Sequence, residues 1–238
     1  MRTIEEINEA LARAGKLNDA DAFVMGAEEL EALGTREGDA RASLARGYAD
    51  VLHGNYPPAL EHFHRALSVF DELGKHGSVA TANNNIGTVY LHTGNYPAAL
   101  EHYRRALALH EELGERSGVA SVNGNIGLVH MDAGNYPAAL EFYHRALALY
   151  EELNDLNGVA SVTGNIGSLH GSTGNYLAAL EHFHRALADH EVLGDRSSVA
   201  LVTGNIGSVH TITGNVQAAL EYNHRALALH TDLGDRSG

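Results

Sequence analysis

An all-α solenoid of about six helical hairpins is what this 238-residue sequence predicts, and three observations carry it. Gly-Asn-Ile-Gly occurs at 124–127, 164–167 and 204–207, with Asn-Asn-Ile-Gly at 84–87. A Gly-Asn pair stands at 54–55, 94–95, 134–135, 174–175 and 214–215. Both signals recur every 40 residues, and self-similarity at a fixed period of about 20–50 residues marks a repeat architecture. Between these marks the apolar residues keep helical spacing. Val119, Val122, Ile126, Val129 and Ala133 fall 3, 4, 3 and 4 apart, one stripe of an α-helix.

Taken in chain order, residues 1–38 match the unit only loosely, through Phe23, Gly26, Leu33 and Gly34, as a divergent capping repeat would. The successive repeats are then 39–77, 78–117, 118–157, 158–197 and 198–238, read together as one domain over 1–238. Just before the first helix the later repeats carry Glu115, Asp155 or Asp195, and a negative charge suits a helix start. Ser117 or Ser197 is placed where an N-cap would be useful. Gly134-Asn135 stops that helix, since both residues tolerate the left-handed conformation of a C-terminal cap. Pro137 then falls in the first turn of the second helix, where a missing N–H is harmless. Ala139, Leu140, Tyr143, Ala146, Leu147 and Tyr150 form the second stripe, which ends at "ELND", or at "ELGER" and "ELGDR" elsewhere. Neither helix can bury its stripe without a neighbour. The last repeat closes on "LGDRSG", a segment that in earlier units leads into another first helix, so a fragment of a longer protein is expected.

Composition narrows the partners. There are no cysteines and no tryptophans, which removes disulfide frameworks and thiolate metal sites. The opening "MRTIEEINEALARAGKL" holds acidic residues and lacks the apolar core of a signal peptide. No apolar run approaches the roughly 18–20 residues of a membrane span, and a cytoplasmic location is expected. The formal net charge is −14, with Lys16 and Lys75 the only lysines. Such a surface repels phosphate backbones and anionic lipid, so neither nucleic acid nor membrane is an expected partner.

The order Ile126, Gly127, His130, then Ala139, Tyr143 and Ala146, with its equivalents 40 residues either side, resembles the tetratricopeptide repeat. The unit is longer than that family's usual repeat by about six residues. It is similar to the repeats of kinesin light chains, LGN-type polarity scaffolds and many bacterial signalling proteins. The family's usual tryptophan-like position holds Asn83, Asn123, Thr163 or Thr203, and its usual tyrosine is Tyr90, then His130, His170 and His210. The resemblance implies a right-handed superhelix whose first helices line an inner, concave wall.

On each first helix a second stripe, rotated by about 100° from the apolar one, can face that groove. It reads Ser121, Asn125, Leu128, Asp132, with equivalents that include Asn85, Thr88, Ser161, Asn165, Ser168, Asn205 and Ser208. Asn85, Asn125, Asn165 and Asn205 therefore form a ladder, one rung per repeat. A carboxamide offers one acceptor and two donors and so can meet both backbone groups of an extended peptide. In the families named above, asparagine ladders at this position hold peptides in that way. Gly127, Gly167 and Gly207 let helices approach, whereas Gly124, Gly164 and Gly204 clear space beside each asparagine. The alternative is that these asparagines bond an adjacent repeat and stiffen the stack, or persist through duplication.

The 16 histidines invite a metal reading that spacing argues against. In "HFH" at 62–64 and 182–184 the two rings point about 200° apart on a helix, and no His-Glu-x-x-His occurs. His64, His144, His184 and His224 are expected on an exposed face, where Glu61, Glu141, Glu181 and Glu221 pair four residues on with Arg65, Arg145, Arg185 and Arg225. His110, His190 and His230 share a slot with Phe70 and Tyr150, read as partly buried rings. Protonating all 16 would move the formal charge from −14 to +2. There is no phosphate-binding Gly-Lys-Ser/Thr motif and no nucleophile elbow. No enzyme, cofactor or metal is expected. The leading reading is a protein-binding scaffold or regulatory module gripping an extended segment. The others are a sensory or autoinhibitory region of a larger signalling enzyme, and self-assembly through an uncapped last repeat.

Overall fold

The structure, a computed structural model, describes residues 2–17 and 19–234. Lys16 and Leu17 are described in backbone only, and the last four residues of the closing "LGDRSG" lie outside the described residues. Among these, twelve helices and no strand occur: α1 Ile4–Leu17, α2 Ala20–Glu31, α3 Arg36–Leu52, α4 Tyr56–Glu72, α5 His76–His92, α6 Tyr96–Leu113, α7 Arg116–Asp132, α8 Tyr136–Glu152, α9 Leu156–Ser172, α10 Tyr176–Leu193, α11 Arg196–Ile212 and α12 Val216–Asp232. They group into two compact units, residues 1–115 and 116–238, each of three hairpins. Within each unit a helix packs against its hairpin partner, and each second helix against the next first helix. This all-α helical repeat solenoid is the expected fold class.

The hairpins begin about two residues earlier than the repeat phase suggests, and the caps explain it. Ser117 and Ser197 lie inside α7 and α11, not at their N-caps. Asp195 caps α11 by accepting from the Ser198 N–H at 3.1 Å, and Asp155 caps α9 through Gly158 at 3.0 Å. A carboxylate answers both the unpaired N–H groups and the positive end of the helix, which a hydroxyl does less well. Gly134 (φ 76°) turns the chain, and Asn135 then caps α8. In the turns into a following hairpin the left-handed residue is glycine at 34, 74, 114 and 194, and Asn154 (φ 55°) at the remaining one.

The core of each hairpin is a ring laid on a glycine. A Cβ on Gly127 would come within 2.6 Å of the Tyr143 ring, and one on Gly87 within 2.7 Å of Tyr103. Phe63, Tyr103, Tyr143 and Phe183 are all buried. The last hairpin breaks this pattern: Asn223 takes the ring's place and is exposed. At the tryptophan-like position Asn83, Asn123 and Thr203 donate to the Val79, Val119 and Val199 carbonyls at 3.0, 2.8 and 2.6 Å, whereas the buried Thr163 hydroxyl has no hydrogen-bond partner among the described residues.

A second ring pair links the helices of four hairpins: Tyr90–His102, His130–Phe142, His170–His182 and His210–Tyr222, each stacked with centroids 5.4–5.7 Å apart. His64, His144, His184 and His224 are exposed, and His110 and His190 are buried. Of the expected pairs one turn apart, Glu141–Arg145 forms. Arg185 and Arg225 instead reach back to Glu151 and Glu191 on the preceding second helix. Both partners lie within reach of a long guanidinium side chain, and the cross-helix choice ties neighbouring repeats together.

Candidate functional site

The stripe carrying the asparagine ladder divides into open and occupied rungs. In the first unit Asn85 is buried, and its amide donates to the Tyr48 hydroxyl on α3 at 2.7 Å. The Thr88 hydroxyl donates to the Asn84 carbonyl at 3.1 Å and pairs with the Tyr103 hydroxyl at 3.1 Å. Both side chains are used in packing, so this rung is not offered to a ligand. Tyr48 stands where later repeats have Thr88, Leu128, Ser168 and Ser208, and only a phenol reaches one repeat onward.

In the second unit Ser121, Gly124 and Asn125 of α7 meet Ser161 and Asn165 of α9 in one crevice of about 230 Å³. Tyr150 of α8 forms part of its wall. Burial raises the Tyr150 phenol above its ordinary range, opposed by a hydrogen bond with Ser121. Gly158 at the start of α9 is required there, because a Cβ would meet the Tyr150 ring at 2.3 Å. Asn125 takes part in an interaction within the protein. Ser161 is exposed and Asn165 partly buried. Among the described residues neither side chain has a hydrogen-bond partner.

Gly124 is not demanded by packing. A Cβ there would touch only Val162, at 3.9 Å, and Gly164 and Gly204 meet Ala186 and Ala226 at 3.9 and 3.8 Å. These are ordinary contacts. A second crevice, of about 330 Å³, brings Gly204, Asn205 and Ser208 of α11 against Asn223 and Leu227 of α12. Gly164 and Ser168 share the α9 helix but line neither crevice, and the Ser168 hydroxyl donates to the Gly164 carbonyl at 3.2 Å.

Asp155 is the one charged residue lining the first crevice. Its neighbour Asn157 also lines it, at a position held by Gly77, Ser117 and Ser197 in three other hairpins. Sequence reasoning passed over both, taking Asp155 as a helix-start signal and Tyr150 as core. The substitution at Asn157 was the available clue. Among the described residues no cluster of three or more His, Asp or Glu side chains is arranged to hold a metal ion. No helix among the described residues is long and apolar enough to cross a membrane.

A hairpin of two amphipathic helices repeated every 40 residues, ring on glycine, defines a helical-repeat solenoid of the tetratricopeptide class. The tetratricopeptide repeat family profile matches residues 39–112 and 118–191, and a second such profile matches 165–233. The chain belongs to the tetratricopeptide repeat family. No curated protein sequence matches it.

Among solved structures, BtubC (BKLC) from P. vanneervenii is similar at 23% identity and a TM-score of 0.71, over 96% of this chain and 94% of that one. A Rap protein complexed with competence and sporulation factor is similar at 17% identity and a TM-score of 0.85, over 97% of this chain and 64% of that one. The Rap conjugation gene regulator of the plasmid pLS20, in complex with the Phr* peptide, gives 16% identity and a TM-score of 0.75, over 83% and 55%. The chain thus spans under two thirds of either Rap protein, and at these identities the likeness is one of fold.

Proposed function

We infer that this chain is a protein-interaction or regulatory module whose second unit holds an extended peptide by its backbone. The observation that carries this reading is the crevice between α7 and α9, where Asn165 and Ser161 present polar groups with no hydrogen-bond partner among the described residues. An extended backbone exposes a donor and an acceptor at every residue, and a carboxamide answers both. Gly124 keeps the approach to Asn125 and Asn165 clear of side chains. The lone lining charge, Asp155, together with a net charge of −14, favours a neutral or basic segment and disfavours nucleic acid. A Rap protein of this fold has been solved with a peptide, which supports the same use of the repeats here. The role read from the chain is binding; nothing in the crevice sets up a nucleophile and base.

A second mode of association is favoured by α12, whose Leu220 and Leu227 are each 56% exposed. Their equivalents Leu180 and Leu187 are partly or fully buried under the following helix. This face is read as a contact for another copy.

The peptide reading is tested by selecting binders from a random displayed-peptide library against the intact chain, then measuring the enriched peptide by fluorescence anisotropy. Asn165→Ala is expected to weaken it about tenfold, one hydrogen bond of 0.5–1.5 kcal/mol with its partner left unpaired. Failure to enrich any peptide, or affinity indifferent to Asn165, overturns it.

A further inference from the structure

The first unit contains a cavity of about 480 Å³, and it is unlike the crevices above. Its walls include Leu11 of α1, Phe23 of α2, and Leu44, Tyr48 and Leu52 of α3, and Arg41 is the charged residue lining it among the described residues. We propose that this cavity is a binding site for a small amphiphilic carboxylate, an aliphatic or aryl body ending in an acid group. The proposal is independent of the peptide reading, since it concerns the other unit.

Three observations support it. The first is that the walls are preformed. The Tyr48 ring stacks on Phe23 with centroids 5.2 Å apart and meets Phe63 edge-on at 5.6 Å. Its hydroxyl is tied back by the Asn85 amide, so the ring presents its apolar face. A cavity of this size and apolar character, with few polar groups, is the usual form of a small-molecule site.

The second is charge. Arg41 donates through Nε and Nη2 to Glu37 Oε1 at 3.1 and 2.9 Å, while Lys75 Nζ lies 3.1 Å from Glu37 Oε2. One carboxylate is thus shared between two cations, and the three groups sum to a positive charge in a chain of −14. Arg41, followed by Lys75, holds the Glu37 carboxyl below its usual range, so this arrangement persists at neutral pH. An apolar guest with an anionic end satisfies both the walls and the surplus cation.

The third is the departure from the repeat. The stripe that reads Ser121, Gly124, Asn125 and Leu128 on α7 reads Arg41, Leu44, Ala45 and Tyr48 on α3. Serine, glycine and asparagine build a shallow polar crevice, whereas these residues build an apolar pocket with one cation. The change is confined to one helix face and alters the chemistry of that face from backbone-reading to apolar.

The test is calorimetric titration of the intact chain with decanoate, and with 1-decanol as the uncharged control. Saturable one-to-one binding of decanoate is expected, with decanol about tenfold weaker for want of the ion pair. Arg41→Gln should bring decanoate down to the level of decanol. Ala12→Phe, at an exposed position of α1 that lines the cavity, should abolish both. Asn165→Ala should change neither, and circular dichroism melts report whether each variant is folded. Absence of saturable decanoate binding below millimolar concentration overturns the proposal. So does binding that ignores both Arg41→Gln and Ala12→Phe.

Discussion

At the scale of single residues, one side-chain type does two jobs. Asn85 and Asn165 occupy equivalent positions, yet the first is buried against Tyr48 and the second has no hydrogen-bond partner among the described residues. Asn85→Ala is therefore expected to lower stability by about 1 kcal/mol or more, since it strands a partly buried phenol. Asn165→Ala should leave the urea midpoint nearly unmoved. Equal losses at both sites would assign the whole ladder to packing. The glycines separate in the same way. Gly124→Ala and Gly164→Ala gain helix propensity without a clash, and should stabilise by up to about 1 kcal/mol each. Gly127→Ala drives a methyl into the Tyr143 ring and should cost about 1–3 kcal/mol. The ring-on-glycine pairs were legible in the sequence because they repeat unchanged. The Asn85 bond was not, because its partner Tyr48 is a departure from the repeat that lies 37 residues away.

At the scale of helices, stacked rings join the two members of a hairpin, and histidine makes some of these joints sensitive to pH. Burial lowers the His182 imidazole below its ordinary value. His170 on α9, His144 on α8 and Arg185 on its own helix add to that, and Glu181 opposes it. Burial likewise lowers His102 and His190. A group that binds its proton less readily when folded leaves the unfolded chain to take up protons first. Stability should therefore be full above the unfolded imidazole value and fall as pH drops from about 6.5 through the folded value. Urea midpoints at pH 7.5 and 5.5 measure that loss. His182→Phe copies the natural His130–Phe142 stack and is expected to shrink the difference between the two midpoints. An unchanged difference would remove His182 from the account. Helix positions were readable from the 40-residue period, but their starts were not. At the start of α11 both Asp195 and Ser197 were candidates, and the charge-assisted aspartate cap wins. Arg185 and Arg225 also had two glutamates within reach, and sequence spacing shows only the one on the same helix.

At the scale of the whole chain, contacts within each unit run from one helix to the next, so cooperativity is local. Removal of residues 198–238 should leave the remaining hairpins folded by circular dichroism, with a lower melting temperature; collapse of all helicity would contradict a linear stack. The exposed leucines of α12 should give concentration-dependent association in sedimentation velocity, abolished by Leu220→Glu with Leu227→Glu. A parent that stays monomeric at millimolar concentration would exclude that face as a self-contact. The central claim is that the crevice carrying Asn125 and Asn165 in the second unit holds a peptide backbone. It is tested most directly by the side-chain amide resonances of all four ladder asparagines during titration with a library-selected peptide. The expected result is saturable shifts at Asn125 and Asn165 with Asn85 unmoved. Saturable binding that leaves Asn125 and Asn165 unshifted would contradict it.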